Sequence, residues 1–324
     1  MPDVLYIVQR GNVEPWLTDF RDAAKAVGLD FAVLDDEADL ERKFAGVSVV
    51  VDQGGHGTKT MIDAGAAAGV RLWQVLGTGL DHTEVEHIHS RGIPLANTPG
   101  QFSAIALAEH ALYFILALAK RSREAERNCH AGVMYAPVSD ELSGQALGIV
   151  GLGASGGELA RRAGVLGMRI QAVDIAQVPG ERLVELGVET FADLDGLDDL
   201  MRTSDYVSLH LPLNAQTRHI IDARRLGLLK SSAYLLNVAR GRLVDEDALV
   251  EALSRRAFAG AGIDVFGQEP LSPDNPLLHL DNVVVTPHTA GVTRGTSRRR
   301  SQVCVENAKR VLAGEAPRFE VAPA

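Results

Sequence analysis

The chain is poor in cysteine. Two occur in 324 residues, Cys129 and Cys304, far apart and in no CxxC pair. Neither a disulfide framework nor a structural zinc site follows from them. An excess of positive charge is also missing. Lys and Arg number 32 against 42 Asp and Glu, a formal net charge of −10, with the acids spread along the sequence. That disfavours nucleic acid and anionic membrane as partners, although a local cluster of Arg can still hold an anionic substrate. Long apolar runs are absent. The most apolar stretch, 104–119, carries Glu109 and His110 and is too short to span a bilayer comfortably. A basic leader is absent as well, since Met1-Pro-Asp-Val-Leu-Tyr-Ile7 opens straight into an apolar strand. There is no low-complexity tract and no strong internal repeat. A cytoplasmic enzyme is the expectation.

What is present is βα alternation. The length suggests about two domains, and a 46% hydrophobic content can bury a sizeable core. Short apolar strands are expected at 4–8, 31–34, 47–51 and 72–75, with helical patterns at 19–27 and 59–68 between them. Strands alternating with helices argue for a parallel sheet covered on both faces. A break at Asn97-Thr-Pro-Gly100 precedes a long helix, 103–121, and then an irregular arm, 128–143. The alternation restarts at Ala146, with strands expected at 206–209, 234–238, 261–265 and 283–286, and helices at 222–229 and 245–253. A last helix, 293–312, is expected to cross back to the first domain. The fold class is therefore α/β, two Rossmann-like or flavodoxin-like domains with parallel sheets and a cleft between them. Residues 1–100 plus 293–324 form the substrate domain, and 101–292 the dinucleotide-binding domain.

The most informative stretch is Leu147-Gly-Ile-Val-Gly-Leu-Gly-Ala-Ser-Gly-Gly-Glu158. Gly151, Gly153 and Gly156 stand in G-x-G-x-x-G spacing between an apolar run and a helical pattern. A second strand, 169–173, ends in Asp174. This order of strand, turn, helix, strand and acid is the context that a dinucleotide fingerprint requires. Gly151 permits the turn, Gly153 lets backbone approach the pyrophosphate, and Gly156 lets helix and strand pack. The helix start offers N–H groups to phosphate. Asp174 accepts from ribose hydroxyls and repels a 2′-phosphate, and Ile175, Ala176 and Gln177 offer no Arg to receive one. NAD is favoured over NADP.

Three groups follow strand ends in the second domain: Arg240, Glu269 and His288. Ligands gather at the carboxyl ends of strands in open α/β sheets. Reducing a carbonyl needs a proton donor, and histidine titrates nearest neutrality. A carboxylate beside an imidazolium stabilises it, and a guanidinium can grip a substrate carboxylate. Taken singly, each is more often a turn or surface residue, and it is their order on successive strand ends that favours a site. Asp81, His82, Glu84, Glu86, His87 and His89 match no metal-ligand spacing, and no metal is assigned. Arg298-Arg-Arg300 is read as an exposed helix face.

The segments Leu211-Pro-Leu-Asn-Ala-Gln-Thr217, Leu236-Asn-Val-Ala-Arg-Gly-Arg-Leu-Val-Asp245, Gly262-Ile-Asp-Val-Phe266 and Thr286-Pro-His-Thr-Ala-Gly291 resemble the D-isomer-specific 2-hydroxyacid dehydrogenase family. So do Asn97-Thr-Pro-Gly100 and Leu107-Ala-Glu-His110. The resemblance covers nearly the whole chain. It implies a two-domain enzyme that interconverts a 2-oxo acid and a D-2-hydroxy acid with NAD. It places Arg240 on the substrate, Glu269 beside His288, and His288 as acid/base. It puts Ala154, Ser155, His210, Pro212, Thr217, Val238, Ala239, Ala290 and Gly291 against the cofactor, with Asp264 at the nicotinamide carboxamide. It assigns the substrate carboxylate to backbone of Gly77, Thr78 and Gly79, and matches the loop Gln53-Gly-Gly-His-Gly57 to a stretch facing the cleft, where His56 is either a specificity residue or part of a flexible solvent loop. A homodimer is implied, with the arm 128–143 and the helix before it as the contact region.

The chain departs from that family in two places. The fingerprint usually reads Gly-x-Gly-Arg-Ile-Gly, but here Ala154 and Ser155 fill the middle. Weaker dinucleotide affinity is expected, with the Ser155 hydroxyl and N–H replacing part of the missing Arg. Met134-Tyr135 stands where hydroxypyruvate and glyoxylate reductases often carry Trp, which argues against that subgroup. No regulatory extension follows the last helix, which argues against long-form phosphoglycerate dehydrogenases. The alternative from another class is a non-enzymatic, NAD-responsive corepressor-like protein on the same fold. Within the enzymes, a short-form phosphoglycerate or glyoxylate/hydroxypyruvate reductase remains open.

Overall fold

The computed structural model describes residues 2–323 apart from residues 10, 12 and 13. The chain divides into two compact units, one of Met1–Phe102 with Thr293–Ala324, the other of Ser103–Val292. The final helix, Arg294–Leu312, falls with the first unit, and Thr293 caps it by accepting from the Thr296 N–H.

The first unit is built on five strands, β1 Val4–Ile7, β2 Phe31–Leu34, β3 Val49–Gln53, β4 Leu72–Leu76 and β5 Leu95–Ala96, in the order β2-β1-β3-β4-β5. Every pair is parallel. This is the flavodoxin-like order. The central strands read as unbroken apolar runs because both faces are covered. Val4, Tyr6, Val49 and Val51 pack with Phe20 and the final helix's Cys304 and Ala308 on one side. Leu5, Ile7, Val50 and Trp73 pack with Phe44 and Ile62 on the other.

The second unit holds seven strands, β6 Ala146–Val150, β7 Arg169–Val173, β8 Val188–Ala192, β9 Tyr206–Leu209, β10 Tyr234–Asn237, β11 Gly260–Ile263 and β12 Val283–Val285. Their order is β12-β11-β10-β9-β6-β7-β8, all parallel. The order reverses between β6 and β9, the Rossmann switch point where ligands bind beyond the strand ends. The helix Ala104–Ala119 closes one face with Ala108, Phe114 and Ile115 against Leu147 and Ile149.

Several expected boundaries move. The arm expected to be irregular from residue 128 is helical over Ser122–His130, and turns irregular only after that. The charged run Ser-Arg-Glu-Ala-Glu-Arg-Asn-Cys-His130 has a strongly polar face and buries nothing, so apolar periodicity could not show it. The strand β8 goes unread for a related reason. It lies at a sheet edge, and its Val-Glu-Thr-Phe-Ala has no buried residue. Cys129 is exposed, Cys304 is buried, and both are free.

Candidate active site

The glycine turn follows β6 at the switch point. Gly151 has φ +98°, in the left-handed half of the map that glycine alone enters freely. A Cβ on Gly156 would stand 2.0 Å from the Gly151 carbonyl oxygen, so only glycine lets the helix Ala154–Val165 lie this close. Around Gly153 there is open space. The amide N–H groups of Ala154, Ser155 and Gly156 have no acceptor among the described residues. Three open donors at a helix start fit a phosphate. Asp174, at the end of β7, braces the turn: its Oδ2 accepts from the Leu152 N–H at 2.6 Å and its Oδ1 from the Ala176 N–H at 2.9 Å. The Ser155 hydroxyl is turned inward, 3.0 Å from His210 Nδ1. Its N–H is open, as expected from the sequence, and its hydroxyl is shared with His210.

The three catalytic candidates follow the ends of three neighbouring strands, β10, β11 and β12. His288 Nδ1–H donates to Glu269 Oε2 at 2.6 Å. Glu269 Oε1 accepts from the Phe266 N–H at 2.9 Å, which fixes the carboxylate's other oxygen. His288 Nε2 has no partner among the described residues, and the side chain is 46% exposed. Arg240 follows a turn pinned by Asn237, whose amide donates to the Arg240 carbonyl at 2.8 Å and accepts from the Ala239 N–H at 3.1 Å. The guanidinium Nη1 donates to the Ala239 carbonyl at 2.8 Å.

Asp264, expected at the nicotinamide carboxamide, is fully buried. Its carboxylate accepts from Thr286 Oγ1, from the Thr289 N–H at 2.8 Å and from the Ala290 N–H at 2.9 Å. Thr286 Oγ1 also meets His110 Nε2 at 2.8 Å. Burial lowers the His110 pKa, while the Asp264 charge opposes the shift. Asp264 thus anchors the loop that carries His288, and Thr286 and His110, which sequence reasoning left unassigned, extend the network. No spacing rule links positions 110, 264 and 286.

The other expected cofactor residues lie along the same sheet edge. His210 follows β9, with Ser208 Oγ 2.9 Å from its Nε2. Thr217 is buried and holds its own turn, donating to the Pro212 carbonyl at 2.7 Å and accepting from the Asn214 N–H at 2.9 Å. Val238, Ala239 and Ala290 are buried, Gly291 half-buried and Pro212 exposed.

In the first unit, the N–H groups of Gly77, Thr78 and Gly79 have no acceptor among the described residues. The Thr78 hydroxyl donates to the Thr98 carbonyl at 2.9 Å and accepts from Arg300 Nη2 at 2.8 Å. Arg299 Nε donates to the Phe102 carbonyl at 2.9 Å. The basic run is therefore no plain exposed face, since two of its three Arg reach back to loops at the strand ends. Beside this loop, Gln9 Nε2 donates to His56 Nε2 at 3.0 Å, and the His56 ring stacks on His82 at 5.4 Å. His87 pairs instead with Asp63 at 2.8 Å. Among the described residues no group of three or more His, Cys, Asp or Glu could hold a metal ion.

Residues 112–290 match the family model described as D-isomer specific 2-hydroxyacid dehydrogenase, NAD binding domain. The chain belongs to the D-isomer specific 2-hydroxyacid dehydrogenase family. A glyoxylate reductase of Korarchaeum cryptofilum is 40% identical over 259 residues, 78% of this chain and 76% of that one. An (S)-sulfolactate dehydrogenase of Chromohalobacter salexigens is 34% identical over 292 residues, 89% and 92% of the two chains. The NAD complex of a D-isomer specific 2-hydroxyacid dehydrogenase from Lactobacillus delbrueckii ssp. bulgaricus superposes with TM-score 0.82 at 27% identity, covering 98% of this chain and 100% of that one. The protein is an NAD-dependent D-2-hydroxyacid dehydrogenase, and the matched segment is its NAD-binding domain. No helix among the described residues is long and apolar enough to cross a membrane.

Proposed function

We propose that this dehydrogenase interconverts a small polar 2-oxo acid and the D-2-hydroxy acid, with His288 as the acid/base and Arg240 on the substrate carboxylate. The observation that carries this reading is the 2.6 Å contact from His288 Nδ1 to Glu269 Oε2. It orients the ring, steadies the imidazolium and leaves Nε2 as the proton-bearing atom that faces the ligand. NADH, when bound, supplies the hydride that adds to the carbonyl carbon. In the same reduction His288 Nε2 gives its proton to the carbonyl oxygen, and in the reverse direction it takes the hydroxyl proton. Arg240 holds a carboxylate in a forked contact and draws electron density from the carbonyl. Within the first unit, the open N–H groups of Gly77, Thr78 and Gly79 are donors suited to a carboxylate.

The substrate's small size and polarity are read from the rim beside that loop. Gln9, His56 and His82 offer hydrogen-bonding groups there, and His56 Nδ1 has no partner among the described residues. A glyoxylate- or hydroxypyruvate-like acid suits such a rim better than a branched aliphatic one. The named relatives support the same choice. The test is a panel of 2-oxo acids followed by NADH consumption. Preferred turnover of branched or aromatic acids would remove the substrate assignment. No turnover of any acid, with NADH still bound, would promote a non-enzymatic role.

We also assign a homodimer. Tyr113 and Leu116 on the helix Ala104–Ala119, and Met134, Tyr135 and Val138 just after the helix Ser122–His130, expose large apolar side chains, with Tyr135 99% exposed. Exposed apolar surface of this kind marks an interaction face. Light scattering at micromolar concentration should report a dimer, and a monomer would reject the assignment.

A further inference from the structure

Ser155, Ser208 and His210 form a chain of polar groups at the switch point. Ser155 Oγ lies 3.0 Å from His210 Nδ1, and Ser208 Oγ lies 2.9 Å from His210 Nε2. Ser208 is fully buried in β9, and among the described residues its hydroxyl has no other partner. His210 keeps part of its surface open, yet the protein packed around the ring strips away water and pushes its pKa down to about 4. Near neutral pH the ring is uncharged and carries one proton.

Hydrogen-bond accounting decides where that proton sits. With the proton on Nε2, Ser208 would have to accept it, and the Ser208 O–H would be left in the core with nothing to receive it. An unmet buried donor costs about 1–3 kcal/mol. With the proton on Nδ1, Ser208 O–H donates to Nε2, and Nδ1–H donates to Ser155 Oγ. Every buried group is then satisfied. Ser155 accepts from the ring and keeps its own proton to give. It is half-buried in the first turn of the helix Ala154–Val165, beside the open N–H groups of Ala154, Ser155 and Gly156.

We propose that Ser208 and His210 set Ser155 as a hydroxyl donor to the pyrophosphate of NAD. Ser208 and His210 are positioning residues, and Ser155 is the contact. The relay offers donors without a formal charge, in a turn where Ala154 supplies no cation. This rests on reading the glycine turn as the dinucleotide site.

The test is NADH affinity, measured by fluorescence titration of the full chain. Ser155→Ala should weaken NADH binding about ten-fold, as expected for one hydrogen bond to a charged group. Ser208→Ala should weaken it by a smaller factor, because without the Ser208 O–H nothing holds the ring proton on Nδ1, and with the proton on Nε2 Ser155 turns its hydrogen to Nδ1. The double variant should be no worse than Ser155→Ala alone, since both act on the same donor. Ser155→Thr should retain the wild-type affinity, and adenosine, which has no phosphate, should bind all variants alike. Losses that add in the double variant, an NADH affinity within two-fold of wild type in Ser155→Ala, or an unchanged affinity in Ser208→Ala would overturn the relay. Gly153→Asp, which puts a carboxylate at the turn, tests the underlying site separately. If it abolishes NADH binding while Ser155→Ala and Ser208→Ala leave it unchanged, the turn stands and the relay falls. If it leaves NADH binding unchanged, both readings fall.

Discussion

His288 meets Glu269 at 2.6 Å from a left-handed backbone, φ 54°. A non-glycine residue in that region carries a cost of roughly 1 kcal/mol or more. The His288 N–H helps offset it, donating to the Asp264 carbonyl at 2.7 Å and lying 3.1 Å from the Thr286 carbonyl. The backbone thus sets the direction of the ring, and the carboxylate completes its orientation. Strain of this kind persists where the surroundings over-determine it.

Two substitutions separate the roles of that pair. His288→Ala should lower kcat for oxo-acid reduction by about 10²–10⁴-fold, the usual worth of a positioned acid. Glu269→Gln keeps a hydrogen-bonding group of the same shape but removes the charge that steadies the imidazolium. Its reduction rate should fall less than that of His288→Ala, because the amide still orients the ring but no longer offsets the charge of the proton donor. NADH affinity should hold in both. A Glu269→Gln reduction rate equal to that of the wild type would show that the carboxylate only props the loop.

Asp174 is assigned a double part in the proposed cofactor site. It accepts the Leu152 N–H inside the glycine turn at 2.6 Å, and it stands where a 2′-phosphate would meet negative charge. Asp174→Ala should weaken NADH binding by about ten-fold or more, from loss of a charge-assisted contact. NADPH should lose much less, so the preference for NADH narrows. Titration with both cofactors checks it. Equal losses for the two would mean that the carboxylate serves the turn alone.

The sequence made most of this edge legible, for a physical reason. The strands β7 and β9–β12 are largely buried, so they stand out as apolar runs, and a polar group follows each, directly for Asp174 and His210 and a short loop later for Arg240, Glu269 and His288. A strand with a solvated face, such as β8, leaves no such run, and a helix that buries nothing, such as Ser122–His130, leaves no stripe. The supports were hidden more deeply. His110 matters because the fold sets it beside Thr286, and pairing across the fold has no signature in spacing. Arg300 misled for the opposite reason, since a run of three Arg reads as solvated until the helix is placed.

Arg300 offers a test confined to the first unit. Its Nη2 donates to the Thr78 hydroxyl at 2.8 Å, and its guanidinium lies 5.7 Å from the Trp16 ring centroid. Arg300→Met keeps much of the length but loses the donor, so the Gly77–Gly79 backbone should lose its fixed geometry. The KM for the oxo acid should rise about ten-fold with kcat nearly held, the pattern of lost uniform binding. NADH affinity should be untouched. A drop in kcat at unchanged KM would place Arg300 outside substrate binding.

His210 predicts how stability depends on pH. Its pKa is pushed down to about 4 in the folded chain by loss of water, against about 6.5 for a free imidazole. Above about pH 6.5 the ring is neutral in both states and costs nothing. Below that, the unfolded ring takes a proton while the folded ring refuses one until about pH 4. The unfolded state then binds more protons, so this residue's contribution falls as pH drops through that window. The slope cannot exceed about 1.4 kcal/mol per pH unit, and partial exposure of the ring makes it smaller. His210→Gln has no proton to gain, so its urea midpoint should fall less steeply between about pH 6.5 and about pH 4 than that of the wild type. The two chains should differ least near the acid end. Parallel curves across the window would mean that His210 takes up its proton as readily folded as unfolded, and the neutral relay to Ser155 would lose its basis.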